Sequence, residues 1–366
     1  ASYEQTIIEG FLSQASQGRE QRHFNGVGFL KRTGEALLDN TTVLQSDLWP
    51  FRGENDKMQQ GTEEEPSTDE HAIKTMKLYN HVERVYNELR EAGARVEGSG
   101  ENVLLENVTQ DMLLNLPGMY LNYGQRDSVQ LALDTLGLEE ENGKGKLVID
   151  VGSGLGHPAR TMAWLSPGLQ VLGVELQPDQ AHVGNLLSSA AGLDGDYCNV
   201  VAANFLEDEL VTPPGSADGL VSWLCILHMG AQGRQKMWSR GAEILKPGAK
   251  LYVEDFFRRG DDFTKEELRI LQDDVYCDGN ELPSREEYIA ELEAAGFSDV
   301  QFEDLTETWT KFCDDRFAIW KQGKSRIERV HNEATFRDLS HFYDAIVRLW
   351  HGGNLGGVRV VATKLP

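Results

Sequence analysis

The stretch Leu147-Val148-Ile149-Asp150-Val151-Gly152-Ser153-Gly154-Leu155-Gly156-His157-Pro158 decides how the rest of this chain is read. An apolar run carrying one acidic residue ends in three alternate glycines, and a proline follows where a helix would begin. Glycine reaches positive φ at no steric cost and proline suits the first helical turn, so the stretch predicts a buried strand, a tight turn and a helix start. Ligands of open α/β sheets bind in the crevice at such strand ends. The spacing narrows the ligand. A dinucleotide fingerprint, GxGxxG, would need its third glycine at His157, whereas the chain reads GxGxG; the phosphate-cradling GxxxxGK[S/T] is absent.

Downstream, β-rich runs alternate with helical periodicity. Strands are predicted at Lys146–Val151, Gln170–Glu175, Tyr197–Ala202, Gly219–Leu224 and Lys250–Asp255, with helices at Pro158–Leu165, Pro178–Ala190 and Gly233–Leu245 between them. That alternation predicts βαβ units and a largely parallel sheet covered on both faces. A helix at Ser284–Ala295, a strand at Asp299–Leu305 and a final strand at Val358–Thr363 follow. Lys246-Pro247-Gly248 predicts a turn before the fifth strand, and Gly352–Gly357 a hairpin-like turn into the last. The α/β region therefore begins near 146 and runs to 366, with insertions at 257–283 and 306–353 expected to cap the carboxyl edge of the sheet. Residues 1–145 read as a helical N-terminal region. Its parts are broken periodicity over Tyr3–Leu38, a polar linker near 54–70, a helix at His71–Ala92, and a lid segment near 107–128 containing a short helix at Asn107–Leu116.

Composition bounds the partners. The chain has 366 residues, 35 Lys and Arg against 59 Asp and Glu, and a formal charge of −24. A surface so acidic disfavours nucleic-acid phosphates and anionic membranes. The longest uncharged apolar runs, such as Val221–Met229, fall far short of the ~20 residues that span a bilayer. A globular, acidic protein with small-molecule partners, as a single subunit or within an oligomer or larger complex, is the expectation. Cys198, Cys225, Cys277 and Cys313 contain no CxxC pair, which fits reduced thiols in an intracellular compartment, cytoplasmic or organellar after removal of a targeting peptide. No histidine pair has metal-ligand spacing, so no metal is predicted.

Two features after the glycine turn bear on the ligand. The second strand ends in Glu175, about twenty residues past the glycines, where a carboxylate can accept both ribose hydroxyls. Asn204-Phe205 follows the third strand, where an amide and a ring could meet an adenine. With these residues in place, 146–255 resembles the core of a class I S-adenosylmethionine-dependent methyltransferase. The apolar strand with Asp150 and GxGxG, the acidic end of the second strand, and Leu245-Lys-Pro-Gly248 match that family's motifs. The resemblance implies an α/β, Rossmann-like, seven-stranded sheet with an antiparallel last strand, plus a helical N-terminal cap. It implies S-adenosylmethionine as methyl donor and S-adenosylhomocysteine as product. By it, Asp150, Gly152, Ser153, Gly154 and Gly156 line the methionine and ribose, Glu175 holds the ribose, and Leu176, Asn204, Phe205 and Leu224 border the adenosyl group.

Within that superfamily the chain looks like small-molecule N-methyltransferases of the sarcosine/dimethylglycine or phosphoethanolamine type. Ile226-Leu-His228 follows the fourth strand as an Ile-x-His element does there, and Leu116–Gly124 carries Tyr120 and Tyr123 where those enzymes have a tyrosine-bearing lid. The phosphobase enzymes have Ser-Arg-Asp before that element, where this chain has Ser222-Trp223-Leu224. An amino acid or betaine precursor is therefore the expected acceptor. A thioether or hydroxy acid, or a methyltransferase-like structural subunit, are the alternatives. His228 is the candidate base, with Tyr123 positioning it or the substrate; a strand-end histidine satisfied by backbone is the equally open reading. Tyr120, Trp223, Tyr276, Trp309 and Phe312 are candidates for lining the acceptor site, an aromatic cage suiting a quaternising amine. Arg258-Arg259 could meet a substrate carboxylate, or be a solvated pair.

Overall fold

The structure, a computed structural model, describes residues 81–366 apart from 101, 117, 194, 196 and 261. The helical reading of Tyr3–Leu38, the linker near 54–70 and the first part of the His71–Ala92 helix lie outside the described residues. The remainder of that helix is α1 (Val82–Glu91), followed by an antiparallel hairpin of β1 (Arg95–Ser99) and β2 (Asn102–Glu106) that the sequence reading did not foresee. α2 (Gln110–Asn115) starts at Thr109, whose hydroxyl accepts from the Met112 amide, and α3 (Gln125–Leu136) ends on left-handed Gly137.

The main sheet contains β3 (Leu147–Val151), β4 (Gln170–Glu175), β5 (Cys198–Ala202), β6 (Ala217–Trp223), β7 (Leu245–Arg258), β8 (Phe297–Asp304) and β9 (Leu355–Lys364). Its order is β5-β4-β3-β6-β7-β9-β8, with β9 antiparallel to both neighbours and β3 to β7 parallel. α4 (His157–Leu165), α5 (Pro178–Ala190), α6 (Gly230–Ile244) and α8 (Arg285–Ala294) connect these strands. The order reverses between β3 and β6, so the crevice for a ligand opens at the glycine turn after β3. One face packs Met237, Trp238, Tyr288 and Leu292 of α6 and α8, and the other Val129, Leu133, Ala159 and Met162 of α3 and α4. Both sets recur at helical spacing, which is why these helices bury a single stripe.

Two turns fall differently from expectation. Lys246-Pro247-Gly248 interrupts β7 instead of preceding it: Leu245 pairs with Ala217 and Lys250 with Gly219, so the intervening residues bulge out. The Gly352–Gly357 run is no hairpin turn. Gly353 (φ +87°) caps α11 (Glu333–Gly352), and Gly356 and Gly357 already belong to β9, where a Cβ would stand 2.1 Å from the Phe257 ring and 2.3 Å from the Trp309 ring. Glycine is there because aromatic rings lie flat on the strand.

Between β7 and β8 stand α7 (Lys265–Ile270) and a π-turn, Leu271–Val275; between β8 and β9 stand α9 (Thr306–Gln322), α10 (Lys324–Val330) and α11. They bury one cluster, including Tyr123, Leu227, Phe256, Trp309 and Trp350, against the carboxyl ends of β6 and β7. Among the described residues no helix is long and apolar enough to cross a membrane.

Candidate functional site

The glycine turn is shaped by three positive φ values, +76° at Gly152, +54° at Gly154 and +68° at Gly156. Two of the glycines are also sterically required. A Cβ on Gly152 would lie 2.3 Å from Cys225 Sγ, and one on Gly156 would lie 2.8 Å from Val200 Cγ2. Gly154 is different: a Cβ there would meet nothing nearer than Gln180 Oε1 at 3.6 Å, so its face is open to a ligand. Glu175 locks the turn. Its Oε2 accepts the Gly154 amide at 2.8 Å and its Oε1 the Gln177 amide at 2.9 Å.

Three carboxyl groups are buried around this turn, at Asp150, Glu175 and Asp255. Burial, then the charge of Glu175, pushes the Asp150 carboxyl up to about 8. Burial raises Glu175 as well, against the amides it accepts. Asp255 is pushed up to about 7 by burial, although the amides of Phe256, Ile226 and Cys225 donate to it at 2.7, 2.7 and 3.1 Å. Asp150 Oδ2 and Ser153 Oγ are buried with no hydrogen-bond partner. A buried acceptor left unsatisfied is costly, and a cationic or donor-bearing ligand removes that cost. An S-adenosylmethionine carrying a sulfonium and an ammonium fits these acceptors and the open face of Gly154.

Past the end of β4, Leu176 is 48% exposed directly after Glu175. Asn204 spends its amide oxygen on the Leu206 amide at 3.0 Å, which leaves its NH2 as donor. Phe205 is placed in the core, buried with Val174 and Ile226 and carrying the Arg240 guanidinium 5.7 Å from its ring. Buried there, it offers no free face to an adenine, contrary to the expectation from sequence.

Opposite the turn, the chain leaves β6 through left-handed Leu224 (φ +50°) into a 3-10 turn, Ile226–His228. Asp255 caps that turn from β7 through the amide bonds given above, and it was missed in the sequence, although Val253-Glu254-Asp255 repeats the strand-end acid seen at Glu175. His228 Nδ1 lies 3.0 Å from the carbonyl oxygen of Tyr276. A carbonyl only accepts, so Nδ1 carries the hydrogen and Nε2 offers a lone pair. Tyr276 presents this carbonyl from a left-handed position (φ +58°) that ends the π-turn, a local irregularity frequent at functional sites. Tyr123 and Trp309 are edge-on at 4.9 Å, with Phe312 5.7 Å from Tyr123 and Phe256 6.4 Å from Trp309. This aromatic roof and His228 share the carboxyl ends of β6 and β7.

Two candidates are placed elsewhere. Trp223 faces the α3 side, its Nε1 donating to Ser128 Oγ at 2.8 Å and its ring 5.9 Å from Tyr252, so it is a core residue there and does not line the roof. Side chains alternate along a strand, and Trp223 takes the face opposite the one an acceptor site would need. Tyr120 bonds Thr161 Oγ1 at 2.9 Å and stands edge-on to His157 at 4.1 Å, beside the start of α4. It therefore belongs with the glycine turn and not with Tyr123. Arg258 and Arg259 are ion-paired to Glu287 and Asp304, each at 3.1 Å.

With that geometry described, comparison with known proteins gives consistent relatives. Residues 113–355 match the family described as mycolic acid cyclopropane synthetase. Methyltransferase phqN of Penicillium fellutanum is 27% identical over 165 residues, 44% of this chain and 49% of the relative. The chain thus spans about half the length of the curated relative it matches. Among solved structures, phosphoethanolamine N-methyltransferase 2 of Haemonchus contortus, in complex with phosphomonomethylethanolamine and S-adenosylhomocysteine, superposes with a TM-score of 0.58 at 20% identity, covering 68% of this chain and 55% of that one. The cyclopropane synthase MmaA2 of Mycobacterium tuberculosis superposes with a TM-score of 0.55 at 19% identity, covering 69% and 88%. At these identities the structures share the fold.

Proposed function

Because the chain belongs to the mycolic acid cyclopropane synthetase family, which uses S-adenosylmethionine, we propose that it transfers the methyl group of S-adenosylmethionine to a small polar acceptor, foremost an amine nitrogen. The observation that carries the donor half is the Glu175 carboxylate bonded to the Gly154 amide, which sets the glycine turn in shape before a ligand arrives. Each Glu175 oxygen has a second lone pair, so ribose hydroxyls can still donate to it. Leu176 offers an apolar face to an adenine, and the Asn204 NH2 a donor to its ring nitrogens. Asp150, Ser153 and the open side of Gly154 receive the methionine portion.

When bound, S-adenosylmethionine supplies a methyl group on a positive sulfonium, ready for in-line displacement. Positioning and exclusion of water then carry much of the rate. On the acceptor side, His228 is held by Tyr276 in the tautomer whose Nε2 can take a proton from an ammonium, freeing the nitrogen lone pair. Tyr123, Trp309 and Phe312 supply the rings a forming quaternary ammonium would face. The same rings would equally face a cation formed on an alkene carbon, so an unsaturated acyl acceptor is the second reading.

Calorimetric titration with S-adenosylhomocysteine tests the donor half: saturable binding is expected, and none at millimolar ligand would overturn the proposal. A labelled-methyl screen of glycine, sarcosine, dimethylglycine, phosphoethanolamine, methylthio-acids and an unsaturated fatty acid tests the acceptor. His228→Ala should lower kcat by about 10²–10⁴-fold, as loss of an acid–base group does, with S-adenosylhomocysteine affinity kept. An unchanged kcat removes His228 from the mechanism.

A further inference from the structure

The short turn that carries His228 cannot hold itself. It is entered through Leu224, whose left-handed φ of +50° is unfavourable for a residue with a Cβ. The His228 and Met229 amides close it on the carbonyls of Cys225 and Ile226 at 3.1 and 3.0 Å. The first amides of a helical turn find no partner within it, and here those belong to Cys225 and Ile226. Asp255 Oδ2 accepts both, at 3.1 and 2.7 Å, while its Oδ1 accepts the Phe256 amide at 2.7 Å.

A carboxylate is a costly choice for that task. Where other described helices start on a side-chain cap, the cap is local and exposed or half-buried, as at Thr109, Thr264, Asp278, Ser284 and Asn332. Asp255 is 1% exposed and reaches its turn from a different strand, 30 residues further along the chain. Glu88 and Glu254, also buried, are paired with Arg326 and Arg359, whereas Asp255 is given amides instead. A neutral cap would satisfy a helix end without burying a charge. What the carboxylate adds is an acceptor on both oxygens, so one side chain fixes the turn and its own strand together.

The place of the turn explains the need. At its start, Cys225 packs on the donor wall, its Sγ 2.3 Å from where a Cβ on Gly152 would stand. Three residues on, His228 meets the Tyr276 carbonyl at 3.0 Å. The turn therefore sets where the base stands relative to the glycine turn, and the acid on β7 sets the turn.

We infer that Asp255 is a positioning residue for methyl transfer: by fixing the Cys225 and Ile226 amides it holds His228 against Tyr276 and so places the base relative to the donor. This role presupposes His228 as the base, but the signature that tests it needs no acceptor.

Long-range proton–nitrogen NMR spectra of the full chain carrying isotope-labelled histidine read the tautomer of each imidazole, His228 being assigned by the signal lost in His228→Gln. At about pH 8.5, about two units above the ordinary histidine value of about 6.5, the ring is neutral. Asp255, pushed up to about 7 by burial, is ionised there. Wild type should show His228 as the Nδ1–H form alone. Asp255→Asn puts an NH2 where an oxygen accepted an amide, so the turn loosens and both tautomers should appear. S-adenosylhomocysteine affinity should stay within a few-fold, since Glu175 holds the glycine turn. With an acceptor from the labelled-methyl screen, kcat should fall by more than about tenfold, as misplacing a catalytic group does, with KM little changed. Asp255→Ser, whose hydroxyl rotates to accept, serves if Asp255→Asn does not fold. Ser284→Ala, which removes the cap of α8, should lower Tm and leave the His228 tautomer unchanged, which separates positioning from stability. A mixed tautomer in wild type, or the wild-type tautomer kept in the Asp255 variants, overturns the inference. An unchanged kcat in His228→Ala would instead overturn the base, and failure of S-adenosylhomocysteine to bind would overturn the methyltransferase reading.

Discussion

The two walls of the crevice are built by opposite means. The glycine turn is held by backbone, with amides donated to Glu175 and main chain bent into left-handed conformations, around carboxyl groups that burial makes reluctant to ionise. The roof is held by side chains, Trp350 meeting Phe256 and Trp309 edge to face and Trp309 meeting Tyr123 likewise, from four separate parts of the chain. The first wall keeps unsatisfied polarity where a ligand is to arrive, and so spends stability on recognition. The second supplies large apolar burial and stabilises the fold on the side where the acceptor is proposed to bind. If that contrast holds, damage to the first wall should appear chiefly in ligand affinity and damage to the second chiefly in stability.

The largest effect on ligand affinity is expected at Gly152. A Cβ there combines a left-handed φ with a 2.3 Å contact to Cys225 Sγ, costs of about 1–2 and about 1–3 kcal/mol respectively. Gly152→Ala should therefore lower S-adenosylhomocysteine affinity by more than about tenfold, since the turn relaxes by leaving its binding shape. Adding Cys225→Ala should restore part of it. Wild-type affinity in Gly152→Ala would break the account of the turn.

Trp309→Ala is the matching change in the roof. The ring is buried over Gly357 and meets Tyr123 and Trp350 edge-on, at 4.9 and 5.8 Å. Removal should cost about 3–5 kcal/mol of unfolding free energy, the usual cost of emptying a large aromatic site. At a temperature where the variant remains folded, S-adenosylhomocysteine affinity should stay within a few-fold of wild type. A large loss of affinity with stability unchanged, measured by urea titration and calorimetry, would reverse the assignment of the two walls.

The same contrast explains what could be read without coordinates. Strand Leu147–Val151, the glycine spacing and Glu175 are local patterns whose requirement, positive φ and a strand-end acid, is written within a few residues. The Pro178–Ala190 helix and the Gln170–Glu175 strand have the predicted limits because proline and an acid mark their ends. The roof has no such signature. Nothing near Trp309 announces that it rests on Gly357, and nothing near Trp223 announces that Ser128 waits for its indole on the other face. Those facts arise from pairing β7 with β9 and packing α3 on the sheet, contacts between residues far apart in the chain. The Gly352–Gly357 run misled for the same reason: its glycines answer rings from Phe257 and Trp309, not a turn of their own.

The test that examines the turn's stored cost directly is the pH dependence of Asp150→Asn. In the fold the Asp150 carboxyl holds its proton up to about pH 8, while its ordinary value, which the unfolded chain keeps, is 3.8. Between those values the folded chain binds the extra proton, so this residue makes stability fall as pH rises, by at most about 1.4 kcal/mol per unit. Below the lower value both states are protonated and above the upper both are ionised, so the slope vanishes at each end. Carboxylates such as Glu88 and Asp218, held below the usual range once their ion pairs outweigh burial, tilt the wild-type curve the other way at acid pH. The quantity to measure is therefore the difference in unfolding free energy between Asp150→Asn and wild type without ligand. It should grow in favour of the variant from about pH 4 to about pH 8 and then level off. A difference that stays flat across that window would mean that Asp150 ionises in the fold as it does in water. The turn would then carry no stored cost for a cationic ligand to relieve, and the contrast between the two walls would lose its physical basis.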